Sequence, residues 1–412
     1  MIFRDALKSM KQDAVKAFFY WLTFVLTSMF IFLYFNIAMS DPAIQPFQNS
    51  DNTITNLSAL VVALCSVDII FANQFYIKAK GRDLAVRLVC GATYLHLSGY
   101  LLIQTLLLLL CAAPLGFGLG MVMLPVSEKL LFSFSASAYH LTIHAAAIGE
   151  ALLIIGYVVF WIILLNMSFS YQNAQIMLTS NNVLHGSTTV KKSALLKIKM
   201  IAGAVLYLLP LVFFYGNPYA STVSVIVGLV GLYFVLRYDV PLWLGNRIEK
   251  NYDSPMKLAV LGMIRQDLSI LKYNIFLLIF TSVIFAGLFA MNREGIIGLI
   301  VLVSYIVMVI MQVLALMFRF ATSAAGRKKN FAILRHLGYE ETQLIGIMKK
   351  EVWGVYGIVM VFTLLYIINL SAAYLKEGIM PLPVVCLLVG VPVLVSFFAA
   401  LTDLMFYRKA VL

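Results

Sequence analysis

The chain has 412 residues, 62% of them apolar and only 12% charged, with a net charge of +12. A mean hydropathy of +0.95 excludes a soluble globular domain, in which about a quarter of residues carry charge. The apolar residues fall in unbroken runs, not in alternation, which excludes a membrane β-barrel and predicts an all-α polytopic membrane protein.

At the N-terminus, IFRDALKSMKQDAVK at 2–16 puts Phe3, Leu7, Met10 and Ala14 on one helical face with charges around much of the rest. Such a helix lies in the membrane interface or packs on the ends of its neighbours. Its basic region is long and no small-residue cleavage site follows the next apolar run, so that run is a span and not a signal peptide. Ten spans are predicted, at 18–38, 57–77, 98–119, 141–166, 198–215, 219–236, 273–292, 294–318, 352–374 and 382–406. Each approaches the length of about 20 residues that crosses a bilayer as helix.

Asp68 in the second span and Glu150 in the fourth are acids at membrane depth, and form a candidate substrate pathway. They are expected to face an interior or a water-filled cavity, as substrate contacts, a proton-coupled pair or hydrogen-bonded structural acids. His140 and His144 have the spacing of a metal pair but no third ligand near them in sequence, and no metal site is assigned. LGFGLG at 115–120 is expected to end the third span, and 122–138 to form a semi-buried helix or lid over the outer mouth. The stretch 168–197 reads as a cytoplasmic loop, Pro210 as a kink in the fifth span, and Asp403 as an inner-surface ion pair with Arg408 and Lys409. Cys65, Cys90, Cys111 and Cys386 are expected to pack in the protein, since none is placed for a disulfide or a metal.

With the N-terminus inside, only Lys129, Arg293 and Lys376 of the 30 Lys and Arg fall outside. This asymmetry puts both termini in the cytoplasm. It directs the basic excess to anionic lipid and to a cytosolic partner, not to nucleic acid.

Aligning Gly91 with Gly338, an offset of 247, brings Arg82 onto Lys329, Leu84 onto Phe331, Val86 onto Ile333 and Gln104 onto Glu351. Upstream, MKQD at 10–13 resembles IRQD at 264–267, each just before a span. These matches outline two units of four spans, 1–170 and 257–412, separated by a cytoplasmic loop and a two-span hairpin at 171–256. An even number of crossings lies between equivalent points, so the units are parallel repeats about a pseudo-twofold axis along the membrane normal, not inverted ones. Within 326–351, Arg327, Lys328 and Lys329 mark the inner surface, and a short helix follows that carries apolar residues together with Arg335 and His336. Gly338 then suits the left-handed conformation that ends helices, and Glu340 and Glu341 suit the positive start of the next.

The span, the basic loop, NFAILRHLG at 330–338 and the re-entering span resemble the FtsX/MacB-type permease domain of ABC transporters, and DLAVRLVCG at 83–91 resembles it more loosely. Two such domains joined by a hairpin look like the ten-span BceB-type permeases associated with antimicrobial-peptide detoxification. The large extracellular domain of that type is missing here, because the connection between spans 7 and 8 is only about MNREG at 291–295. The resemblance implies that segments 81–92 and 326–339 couple to a separate cytosolic ATPase. Arg82, Asp83, Arg87 and Gly91 would act in the first, and Lys328, Lys329, Asn330, Arg335, Gly338 and the adjoining Glu340 in the second.

No phosphate loop or catalytic motif occurs in this chain, GSTTVKKS at 186–193 being the nearest imitation of one. The chain is therefore expected to be no enzyme, and ATP and Mg are expected in the partner, two ATPase copies per chain. The expected role is export or membrane extraction of an amphiphilic substrate, such as an antimicrobial peptide or lipid, at a bacterial cytoplasmic membrane. FtsX-like signal transmission without transport and an ATP-independent carrier are the alternatives.

Overall fold

A computed structural model describes residues 2–39, 53–135, 143–179, 194–216, 221–250, 254–291 and 295–411. Among these residues there is no strand. Nine helices among the described residues are long and apolar enough to cross a membrane, and Ser58–Gln74 forms a shorter apolar helix. The protein is thus a polytopic helical membrane protein.

The chain divides into two compact units, Met1–Thr189 with Gly295–Ile300, and Val190–Glu294 with Val301–Leu412. Unit 1 contains α1 (Ile2–Gln12), α2 (Ala14–Ala38), α3 (Thr53–Ala79), α4 (Gly81–Val89), α5 (Tyr94–Ser135) and α6 (Ala145–Thr179). Its main helix pair is α2 with α5, while α3 and α6 flank α2 and α1 lies on α5. Unit 2 contains α7 (Ala194–Gly216), α8 (Ser221–Phe234), one π-helical turn (Val235–Asp239), α9 (Val240–Lys250) and α10 (Pro255–Met291). It continues with most of α11 (Gly295–Gly326), then α12 (Lys328–His336), α13 (Glu341–Lys376) and α14 (Leu382–Val411). Here α10 pairs with α13, α13 with α14, and the hairpin α7–α8 packs on α13 and α10.

The glycines of LGFGLG do not end a span: α5 runs through them, and through Pro114 and Pro125, to Ser135. A side-chain Cβ at Gly116 would lie 2.0 Å from Ser28 Oγ, and one at Gly120 would lie 2.5 Å from Phe32 Cδ1. These two glycines, four residues apart on one face, let α2 approach closely, the small-xxx-small device of membrane helix pairs. The 42 residues of α5 extend over about 63 Å, twice a hydrocarbon core, so the helix projects beyond the bilayer. Residues 122–135 continue α5 and do not form a separate lid, and 136–138 lie outside the described residues.

Other ends also move. The predicted loop at 168–197 is shortened by α6 and α7, which reach Thr179 and Ala194, and 180–193 lie outside the described residues. The sixth span continues through the π-turn to Lys250. Pro210 stands inside α7, buried, where a Cβ on Gly228 would meet its Cγ at 2.9 Å, so the proline fills a close helix contact. The turn at 292–294 lies outside the described residues. Of the cysteines only Cys65 is buried, whereas Cys90, Cys111 and Cys386 are exposed, contrary to the packing role expected of all four.

Candidate functional site

The two short helices α4 and α12 each contain nine residues, and each leads into a glycine with positive φ, 90° at Gly91 and 92° at Gly338. Gly91 N–H donates to Leu88 O at 2.9 Å and Ala92 N–H to Arg87 O at 3.0 Å. Gly338 N–H donates to Arg335 O at 3.1 Å and Tyr339 N–H to Leu334 O at 3.2 Å. Both ends are Schellman motifs, which a Cβ would strain because the turn residue is left-handed. As expected, α13 starts immediately after, with Glu340 at its N-cap and Glu341 in its first turn. Gln343 Oε1 accepts the Glu340 N–H at 3.3 Å.

Each short helix is two-faced. Leu84 and Phe331 are buried, whereas their neighbours two residues on, Val86 and Ile333, are each 58% exposed. Val89 is 88% and Leu337 is 70% exposed, so both helices leave apolar groups open near their C-terminal ends. Asn330, Arg335, His336 and Glu340 share the exposed surface of unit 2. In unit 1, Asp83 and Arg87 turn partly inward. Tyr100 Oη donates to Asp83 Oδ2 at 3.0 Å, Arg87 pairs with Asp83 at 3.5 Å, and the Arg87 guanidinium lies 4.1 Å over the Tyr100 ring. The side chains of Arg82, Lys328 and Lys329 lie outside the described ones.

The residue before each short helix is a buried cation: Lys80 was missed from sequence, and Arg327, expected to mark the inner surface, is buried instead. Lys80, 1% exposed, donates to Ser9 Oγ of α1 at 3.0 Å and to Gln104 Oε1 of α5 at 2.9 Å. Gln104 Nε2 in turn donates to Ala6 O at 3.1 Å. Burial lowers the Lys80 pKa to about 8, with Asp13 and Asp83 opposing the shift. In unit 2, Arg327 forms ion pairs with Asp267 of α10 and Glu351 of α13, all three buried. Tyr407 Oη donates to Glu351 Oε2 at 2.9 Å, and the Phe331 ring of α12 meets the Tyr407 ring edge-on at 5.7 Å. The carbonyls of Lys80 and Arg327 also accept the first backbone bonds of the short helices, from Leu84 at 3.0 Å and Phe331 at 3.1 Å.

A sequence signal did exist: the offset that pairs Gly91 with Gly338 also pairs Lys80 with Arg327 and Gln104 with Glu351, and MKQD and IRQD pair Asp13 with Asp267. In each unit one cation therefore ties the start of the short helix to an early helix and to the helix that follows. A cation beside a helix N-terminus opposes the helix dipole, so it needs these acceptors around it.

The acids at membrane depth separate. Asp68 is buried in α3, as expected, while Glu150 is exposed on α6, past the first turn of that helix. One is thus buried and the other exposed. Beside Asp68 on α3, Asn73 accepts from Tyr20 Oη at 2.8 Å and donates to Asn166 Oδ1 at 2.8 Å, a buried polar link between α2, α3 and α6. Asp403 is no surface ion pair. It is buried against α13, where Tyr356 Oη donates to its Oδ2 at 2.6 Å, because its face of α14 looks into the unit while Arg408 is exposed. In α1 the buried residues are Ala6 and Ser9, which leaves Phe3 and Leu7 exposed, as an interfacial face requires. His140, the partner of His144 in the histidine pair, lies outside the described residues.

No protein-family model matches this chain, and no curated protein matches it.

Proposed function

We propose that this chain is the permease subunit of an ABC transporter, of FtsX/MacB type, in a ten-span BceB-like arrangement without the large extracellular domain. In this reading Ser58–Gln74 completes ten spans, and spans 1–4 and 7–10 are parallel repeats joined by the hairpin of spans 5 and 6. The observation that carries it is the doubled short helix. At positions 247 residues apart, α4 and α12 each begin at a buried cation, end at a left-handed glycine and expose apolar groups between. Two like footholds suit two copies of a cytosolic ATPase, which binds ATP and Mg. Closure of the ATPase pair would pull on α4 and α12, and the cation ties would pass that pull to α1 and α5, and to α10 and α13.

Both termini then lie in the cytoplasm, at the cytoplasmic membrane of a bacterium. A chain with so few polar groups at membrane depth suits an amphiphilic substrate taken from the bilayer, such as an antimicrobial peptide or a lipid, for export or extraction. The test is whether the adjacent reading frame encodes an ABC ATPase and whether that protein co-purifies with this chain. Ile333→Asp with Leu337→Asp is expected to abolish association and stimulated ATP turnover, while helical content and thermal stability in detergent stay as in wild type. Undiminished co-purification of the double variant would sink the reading.

A further inference from the structure

Unit 2 has a cleft of about 440 Å³ where α9, α10 and α13 meet. Each of the three helices contributes one cation to it, Arg247, Lys257 and Lys350, and among the described residues no carboxylate lines it. The rest of its wall is apolar. Val260 is buried, Met256 and Leu261 are half-buried, and Trp243 carries the Arg247 guanidinium 5.4 Å over its ring.

The place of the cleft matters as much as its chemistry. The apolar segment Val227–Lys250 ends at it and the segment Glu341–Lys376 begins near it, so it lies at the level where helices leave a bilayer. A small solvated anion gains nothing from an apolar wall. A zwitterionic headgroup would bring its own cation among three others, which like-charge repulsion opposes. An amphiphile with a net negative head and a hydrocarbon chain satisfies both parts of the cleft at once. Trp243, half exposed at the cleft with a cation over its ring, has the amphipathic placement of interfacial aromatics.

We propose that this cleft binds one anionic glycerophospholipid, its phosphate among Arg247, Lys257 and Lys350 and the upper part of an acyl chain along Met256, Val260 and Leu261. Lys350 adjoins Glu351 in α13, so an occupied cleft ties α9 to the helix that carries the buried ion pair. The site does not depend on the transporter reading: a protein that never meets an ATPase would still hold this lipid.

Trp243 serves as the reporter. In a variant with Trp21, Trp161 and Trp353 each replaced by Phe, reconstituted in phosphatidylcholine vesicles, brominated phosphatidylglycerol is expected to quench Trp243. Half-quenching should come at a mole fraction about tenfold lower than with brominated phosphatidylcholine, the effect expected of headgroup-level cations. Lys257→Gln with Lys350→Gln should remove the preference, and Lys376→Gln, remote on α13, should leave it. Equal quenching by the two lipids would overturn the proposal. So would loss of the preference in Lys376→Gln, which would reduce it to general surface charge, or its loss in millimolar inorganic phosphate, which would make the cleft a soluble-anion site. Should the triple Trp variant not fold, native mass spectrometry of the full wild-type chain gives the same decision: one retained phosphatidylglycerol, reduced in the double Lys variant, supports the site, and no difference between the two overturns it.

Discussion

At the scale of single residues, the two buried cations do the same work with different chemistry. Arg327 faces ionisable partners, and breaking a buried ion pair strands its remaining charges, which costs about 3–5 kcal/mol. Arg327→Met is therefore expected to destabilise the protein by about that amount, measured as loss of helical signal on denaturation in detergent. Glu351→Gln should cost less, because the amide still accepts from Tyr407 and Asp267 still faces the guanidinium. Lys80 faces the neutral acceptors Ser9 and Gln104, and burial depresses its pKa from 10.5 to about 8. The folded protein then binds fewer protons than the unfolded chain between those two values, so this group adds stability as pH rises through that window. Below the lower value the full cost of charging it is present. The difference in melting temperature between wild type and Lys80→Met should shift in favour of wild type on going from roughly pH 8 to 10. A difference that stays flat across that range would show that Lys80 keeps its ordinary affinity for protons.

At the scale of elements, glycine spacing separates close packing from chain reversal. Gly116 and Gly120 are where α2 and α5 meet, while a Cβ on Gly118 between them meets nothing within 4 Å. Gly116→Ala should accordingly cost about 1–3 kcal/mol through overpacking, whereas Gly118→Ala should leave stability unchanged or slightly raised, since alanine favours helix. Thermal unfolding of both variants in one detergent provides the comparison. Equal effects would mean that α2 and α5 do not touch through that face. The glycines at 91 and 338 differ in kind: space around them is open and only the sign of φ demands glycine. At Gly338 that demand was readable in advance because it is local, the end of an apolar-basic helix followed by acids that suit a new one, whereas Gly91 was reached through its alignment with Gly338.

At the scale of the whole molecule, the proposed coupling makes a countable claim. Two footholds on one chain require two ATPase copies for each permease copy, and mass photometry of the purified complex should give that ratio. A stable complex with equal numbers of each would end the two-foothold reading. Sequence alone was enough to establish that the chain forms apolar helices suited to a membrane, and that two short helices stop at Gly91 and Gly338. Each of these depends on composition or on a few consecutive residues, and lipid leaves the backbone no alternative to helix. Tertiary structure alone decided which faces meet. It placed Lys80 and Arg327 inside, turned Asp403 from the surface to Tyr356, left Glu150 exposed, and carried α5 through its glycines. In a helix that is apolar on every side, periodicity does not distinguish the protein-facing side from the lipid-facing one, so these outcomes follow from contacts between residues far apart in the chain.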